Sequence, residues 1–139
     1  NEHKIFLEKV SSLRIKKVGV LFADQSLDIN EIRNFCQLNY DGLMIDTVNK
    51  SKECTLNLLN HNLLNSFIEE CHMSNKFCGI SGSMTFENIE FAMSYKPDFI
   101  GYRGALCSSS DRKNLESYKC ESVIKKIKYI NQKMYQEAV

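Results

Sequence analysis

Two short polar segments in the second half of the chain carry residue types suited to binding a phosphorylated substrate. Ser81-Gly82-Ser83 follows one apolar run, and Gly101-Tyr102-Arg103-Gly104 follows the next. Hydroxyl and guanidinium groups donate hydrogen bonds to phosphate oxygens, and glycine lets backbone N–H groups approach an anion closely. We expect the serine turn to run directly into a helix N-terminus, where the helix dipole favours phosphate. The predicted anion site comprises Ser81, Gly82, Ser83, Gly101, Arg103 and Gly104.

A plainer interpretation of these segments stays open. Ser81-Gly82-Ser83 could be only a turn, and Arg103 could only pair with a carboxylate at the rim of the fold. The two segments follow neighbouring predicted strands, however, and the ends of such strands meet at one edge of a parallel sheet. Their combination therefore favours the anion site.

Asp46 and Lys50 form a second candidate pair after an earlier apolar run. A lysine in a partly desolvated site acts as an amine nucleophile or as an acid and base, and a nearby carboxylate orients it or relays protons. A solvated loop is the simpler interpretation, because Lys50 leads into the polar residues 51–53. Asp24, after the first apolar run, fits either the same site or a cap on its own polar turn.

The cysteines and histidines predict no metal site. Metal-binding cysteines occur as close pairs, whereas the nearest two here, Cys71 and Cys78, are seven residues apart. His61 and His72 lie on predicted helices, on or beside faces that point away from the strand ends, and no clustered set of histidines and carboxylates is visible. We expect neither a metal nor another cofactor. The six cysteines are predicted to be reduced and mostly buried, in a cytoplasmic protein, because no export signal is present.

Four apolar runs alternate with amphipathic stretches, which indicates parallel strands joined by helices. The predicted strands are Val18–Phe22, Leu43–Ile45, Phe77–Ile80 and Phe99–Ile100. A helix with an apolar stripe of Ile5, Phe6, Val10 and Leu13 precedes the first strand. Capping-box spacings at Asp28/Glu31 and, more weakly, at Thr85/Asn88 predict two helix starts.

Repeated βα units fit either an open doubly wound sheet or part of a (β/α)8 barrel. A complete barrel needs about 250 residues, and this chain of 139 residues begins with a helix and with Asn rather than Met. We therefore interpret residues 1–139 as a single α/β domain that forms roughly the C-terminal half of a (β/α)8 TIM-type barrel, with four βα units.

The composition argues against several classes of partner. A formal net charge of +1 gives no field that would favour nucleic acid or an anionic membrane. The apolar runs are too short to span a bilayer, so we expect neither nucleic acid nor membrane as a partner.

Three segments together resemble the (5-formylfuran-3-yl)methyl phosphate synthases, also called 4-(hydroxymethyl)-2-furancarboxaldehyde-phosphate synthases. They are residues 44–50 (MIDTVNK), 79–84 (GISGSM) and 100–107 (IGYRGALC). The similarity runs from about Val18 to the last helix and covers only the C-terminal part of the family. The order and spacing of the three segments are more specific than any one of them.

The resemblance implies a TIM-barrel lyase that condenses two molecules of glyceraldehyde 3-phosphate, through a lysine Schiff base, into (5-formylfuran-3-yl)methyl phosphate for methanofuran biosynthesis. Asp46 matches the family's acidic residue and Lys50 its essential lysine, while the lysine favoured for the Schiff base lies in the family's N-terminal strands. Residues 81–83 and 101–104 match the phosphate side. The implied partners are a phosphorylated triose and either the N-terminal half of the barrel or further copies of the chain.

Two other functions remain open from the sequence. One is a different Schiff-base, aldolase-like barrel that binds phosphate. The other is a half-barrel that binds phosphate or assembles with a partner without catalysis, because an isolated half exposes two sheet edges and much of its core.

Overall fold

The computed structural model of the chain describes residues 2–49, 53–108 and 113–137, and these form an α/β fold. The elements in chain order are α1 (Glu2–Lys9), β1 (Val18–Phe22), α2 (Ile29–Cys36), β2 (Gly42–Asp46), α3 (Thr55–Leu58), α4 (His61–Met73), β3 (Phe77–Ile80), α5 (Ile89–Ser94), β4 (Phe99–Ile100), α6 (Arg103–Leu106) and α7 (Ser117–Glu137). The four predicted strands are confirmed, with β2 one residue longer at each end. The short helices α3 and α6 were not predicted.

The four strands form one parallel sheet in the order β1-β2-β3-β4. The register pairs Phe22 with Asp46, Ile45 with Ile80, and Ile80 with Ile100. All four strands therefore end at the same edge of the sheet. Within the described residues the sheet is open, with β1 and β4 at its edges; this is compatible with half of a barrel, and no barrel is closed.

One face of the sheet forms the centre of the core. Its side chains are at most 2% exposed and pack with the apolar faces of the helices. On the sheet these residues are Leu21, Leu43, Ile45, Cys78 and Ile80; on the helices they include Ile32, Leu64, Phe67 and Ile89. Burial on this scale is the main stabilising contribution to the fold.

The opposite face of the sheet is apolar but only half-buried. Its side chains are Val20, Phe22, Met44, Phe77 and Phe99. The rings of Phe77 and Phe99, with centroids 6.0 Å apart, lie over the glycines of the neighbouring strands, Gly42 and Gly79. Large and small residues thus alternate across this face, as they do in the filled interior of a (β/α)8 barrel.

The two predicted helix starts have different outcomes. Asp28 accepts a hydrogen bond from the backbone N–H of Glu31 at 2.8 Å, so the first capping interaction is confirmed. Asn88 instead accepts from the N–H of Thr85 at 3.0 Å, and α5 begins only at Ile89. The second pair therefore closes a turn before the helix.

The apolar stripe predicted for the first helix is wrong in detail. The helix α1 ends at Lys9, and its buried residue is Leu7. Ile5, Phe6 and Leu13 are at least 50% exposed. Their stripe has helical spacing, but the described residues offer no surface that covers it.

The cysteine prediction is confirmed in its structural part. All six cysteines lie in the described residues and are free, and all except the half-buried Cys120 are buried. Among the described helices, none is both long and apolar enough to cross a membrane.

Candidate functional site

A small pocket at the carboxyl edge of the sheet brings together most of the predicted site residues. Its volume is about 100 Å³, whereas sites for drug-sized ligands and cofactors occupy roughly 300–1,000 Å³. It therefore suits a compact group rather than a whole cofactor. The lining residues are Asp46, Ser81, Gly82, Ser83, Met84, Gly101, Arg103 and Gly104.

The Ser81–Ser83 turn has a backbone conformation that depends on glycine. Gly82 has φ +99° and Ser83 has φ +49°, so two successive residues are left-handed. A Cβ on Gly82 would collide with Oγ1 of Thr55 and lie 2.8 Å from the backbone N of Thr47. Thr55, at the start of α3, also donates a hydrogen bond from Oγ1 to the carbonyl of Ser81 at 2.5 Å. The turn is therefore fixed from both sides.

The expectation that this turn leads directly into a helix is wrong. After Ser83, Met84 is buried with its Sδ 3.4 Å from Sγ of Cys54, and α5 begins only at Ile89. The physical reason is the pair of left-handed residues, which turns the backbone away from a helical path. The dipole of α5 therefore does not act at this turn, and hydroxyl groups and Arg103 provide the donors at the pocket.

The last two strand ends approach each other closely because residue 101 is glycine. A Cβ on Gly101 would lie 2.7 Å from Oγ of Ser81, which is closer than real side chains come. The approach places Arg103, the first residue of α6, beside the serine turn. Across residues 2–49, 53–108 and 113–137, Arg103 has no ion pair or hydrogen bond through its guanidinium group. Pairing with a carboxylate at the rim, the plainer interpretation, is thus not seen.

Asp46 ends β2 and lies in the pocket with its carboxylate half-buried. Its Oδ1 accepts the N–H of Thr47 at 2.8 Å. Thr47 is fully buried, and its Oγ1 has no hydrogen-bond partner among the described residues. The pocket therefore combines a carboxylate with the cationic Arg103, the charges needed to handle protons and to hold an anion.

Asp24 holds the loop that leads toward Lys50. Its two carboxylate oxygens accept the N–H groups of Val48 and Asn49, each at 2.9 Å. Among the described residues, Asp24 thus contacts the loop that follows the next strand, and it is not one of the residues that line the pocket. The pairing of Phe22 with Asp46 places the two loops side by side, which the separation of Asp24 and Val48 in sequence does not reveal.

Lys50 lies outside the described residues, as do residues 109–112. Its predicted role stays a prediction. Three features of the pocket were not predicted from the sequence. They are the contact with Thr55, the place of Met84 in the lining, and the close approach that requires glycine at position 101.

Comparison of the sequence with known proteins identifies a family. A family model described as 4-HFC-P synthase covers residues 3–125. The chain belongs to the 4-HFC-P synthase family. The match includes the three segments on which the resemblance rests, and the predicted family is confirmed.

Curated relatives of this 4-HFC-P synthase family chain have consistent names. A Methylorubrum extorquens protein, provisionally named (5-formylfuran-3-yl)methyl phosphate synthase, is 31% identical over 96 residues, which cover 69% of this chain and 41% of the relative. Proteins with that name from Methanococcus maripaludis (strain C7) and Methanocaldococcus jannaschii are 33% and 31% identical, over 52% and 53% of this chain and 30% and 32% of their own length. The chain thus spans less than half the length of each of these relatives.

Proposed function

We propose that the chain is the C-terminal part of a (5-formylfuran-3-yl)methyl phosphate synthase. The proposed enzyme is a lyase that condenses two molecules of glyceraldehyde 3-phosphate, with loss of phosphate and water, in the formation of a methanofuran-type cofactor. Family membership supports the reaction class. The observation that carries the proposal is the pocket of about 100 Å³ where Asp46, the serine turn and Arg103 meet.

In this proposal, the pocket holds a phosphate group of the substrate. Arg103 supplies a positive charge that forms no ion pair with any described carboxylate, and Ser81 and Ser83 place hydroxyl groups beside it. Gly82 and Gly101 keep the floor free of side chains. A group held in this place is anchored at the carboxyl edge of the sheet, where barrel enzymes carry out their chemistry.

Lys50 and Asp46 handle the carbonyl end of the substrate in the proposed mechanism. An amine in this enzyme family attacks the aldehyde carbon, the carbonyl oxygen leaves as water, and the resulting imine draws electrons from the neighbouring carbon. Lys50, four residues after Asp46, serves as this amine or as the acid and base beside it, and Asp46 relays protons. Asp24 positions the backbone on the way to Lys50 through Val48 and Asn49.

The half-buried apolar face of the sheet supports the barrel part of the proposal. Phe22, Met44, Phe77 and Phe99 are only half-buried among the described residues. An apolar face of this kind requires a partner layer. We assign that layer to the N-terminal half of the same barrel, whose strands continue the sheet at β1 and β4.

The test uses the full-length protein that contains this chain. Incubation with glyceraldehyde 3-phosphate is expected to yield the furan aldehyde phosphate, detected by mass spectrometry. Lys50→Ala is expected to lower kcat by at least about 100-fold, the usual effect of losing an acid–base or nucleophilic group. Lys125→Ala, on the exposed face of α7, is the matched control and is expected to leave turnover unchanged.

Three outcomes would contradict parts of the proposal. Turnover of another phosphorylated aldehyde, with no furan product, would indicate a different Schiff-base aldolase. A Lys50→Ala protein that is folded and fully active would remove Lys50 from the mechanism. If it unfolds instead, Lys50 has a structural role and its assignment fails in the same way.

A further inference from the structure

The opposite edge of the sheet carries a cluster of three potential metal ligands. His72 lies in the last turn of α4, Cys78 lies near the start of β3, and Asp98 immediately precedes β4. Their ligand atoms all lie within 4.8 Å of one another. No clustered set of histidines and carboxylates is visible in the sequence, because the fold brings these residues together from positions up to 26 apart.

The distances among the three atoms match those of ligands on one tetrahedral ion. With zinc–sulfur bonds of about 2.3 Å and zinc–nitrogen or zinc–oxygen bonds of about 2.0–2.1 Å, sulfur lies about 3.6 Å from the other ligands, and nitrogen lies about 3.3 Å from oxygen. Sγ of Cys78 is 3.5 Å from Nε2 of His72 and 3.4 Å from Oδ2 of Asp98. Nε2 of His72 is 3.1 Å from the same Oδ2. Bound zinc would move each atom by only a few tenths of an ångström.

The cluster is held in place by the surrounding structure. Oδ2 of Asp98 accepts the backbone N–H of Cys78 at 2.7 Å, and the backbone N–H of Asp98 donates to the carbonyl of Cys78 at 2.9 Å. Such bonds fix the carboxylate and the cysteine relative to each other before a metal arrives. The neighbouring cation, Lys76, does not compete, because its ammonium donates to the carbonyls of Leu38 and Tyr40.

The chemistry of the three groups suits a borderline-soft divalent cation. A thiolate and a carboxylate supply two negative charges, and a neutral imidazole supplies a nitrogen ligand. The side chains of His72 and Asp98 are 47% and 46% exposed, so the ion has a path from solvent and a place for a water as fourth ligand.

We propose that His72, Cys78 and Asp98 form a zinc site at the amino edge of the sheet. On binding, the thiol proton of Cys78 passes to solvent, the sulfur forms a bond to the metal, and no electron is transferred. The ion joins the end of α4 to β3 and β4 at the edge opposite the phosphate pocket. Its role is therefore the stabilisation of this corner, independent of the reaction at the carboxyl edge.

The test uses the full-length protein, freed of metal by a chelator and titrated with Co²⁺ and then Zn²⁺. We expect one Co²⁺ per chain with a thiolate-to-cobalt absorption band, displacement of Co²⁺ by Zn²⁺, and a rise in Tm of several degrees with Zn²⁺. Cys78→Ser is expected to abolish the band. His72→Asn and Asp98→Asn are expected to weaken binding at least tenfold, as ligand removal generally does.

Two control variants replace a cysteine and a histidine that lie outside the cluster. Cys120→Ser on α7 and His61→Asn at the start of α4 are expected to keep the band and the shift in Tm. A folded wild-type protein without the cobalt band would overturn the proposal and leave a hydrogen-bonded cluster only. A band that survives His72→Asn unchanged would overturn it as well, and this exposed substitution keeps the test decisive even if Cys78→Ser does not fold.

Discussion

At the scale of single residues, some side chains at the carboxyl edge of the sheet line the pocket, and others fix its shape. Arg103, Ser81 and Asp46 line the pocket with functional groups. Gly82 and Thr55 shape it, since the left-handed glycine packs against the threonine hydroxyl. Substitution of the first group is therefore expected to change binding or turnover, and substitution of the second to change stability as well.

Arg103→Ala is expected to raise KM for glyceraldehyde 3-phosphate at least tenfold in the full-length protein, with a smaller effect on kcat. The reason is the loss of a charge-assisted interaction with phosphate, which contributes about 1.5–3 kcal/mol. Steady-state kinetics of the variant and the wild type measure the change in KM. The control is Arg14→Ala, which removes an exposed arginine before β1. An unchanged KM in Arg103→Ala would place the phosphate elsewhere.

Residue types and their spacing predict part of the pocket but not all of it. Asp46, the serine turn and Arg103 were predicted because they follow apolar runs, and parallel strands must end at a common edge. The path after Ser83 was not predicted, because it depends on two left-handed residues and on burial of Met84 against Cys54. The cluster of His72, Cys78 and Asp98 was not predicted either, because the packing of α4 on the sheet brings these residues together.

At the scale of elements, polar side chains at the amino ends of the strands hold the sheet to its connections. Lys76 is only 9% exposed, and its ammonium donates to the carbonyls of Leu38 at 2.8 Å and Tyr40 at 2.6 Å. The carboxylate of Asp41 accepts the backbone N–H of Lys17 at 2.7 Å. Both residues lie in segments without apolar periodicity, so the sequence pattern predicts the strands well and these connections poorly.

Lys76→Met is expected to lower the free energy of unfolding by about 1–3 kcal/mol, because two carbonyl oxygens after α2 lose their buried donor. Urea denaturation followed by circular dichroism measures this change. Lys125→Met on the exposed face of α7 is the matched control. Equal midpoints for Lys76→Met and wild type would show that the ammonium contributes nothing to the fold.

Asp41 makes stability depend on pH in the acid range. The backbone N–H of Lys17, together with the ammonium groups of Lys17 and Lys16, lowers the pKa of this carboxyl. A lowered pKa stabilises the folded state above the unfolded value of about 3.9, and the contribution is lost as pH falls through the folded value. Asp41→Asn is expected to flatten the fall in Tm below about pH 4, measured by thermal melts across that range.

The control for that experiment is Lys125→Met on the exposed face of α7, which removes no carboxyl group. It is expected to retain the wild-type profile in the acid range. A profile for Asp41→Asn that falls as steeply as the wild type would assign the acid sensitivity to other carboxyl groups.

At the scale of the whole molecule, the sheet is covered by helices on one face and left half-buried on the other. Three features suit a barrel wall. They are the strand order β1-β2-β3-β4, the parallel pairing, and the alternation of phenylalanine with glycine. The periodicity of the sequence predicted this wall because each strand is apolar on both faces. It does not predict the covering layer, because that layer is not formed by the described residues.

We propose that this chain, in its full-length protein, acts on glyceraldehyde 3-phosphate through an imine. The most direct measurement is intact-mass spectrometry of that protein before and after treatment with glyceraldehyde 3-phosphate and borohydride, which reduces an imine to a stable amine. We expect a triose-phosphate adduct on the protein, absent when borohydride is omitted, and furan aldehyde phosphate in the untreated reaction. A folded protein with neither adduct nor furan product would contradict it.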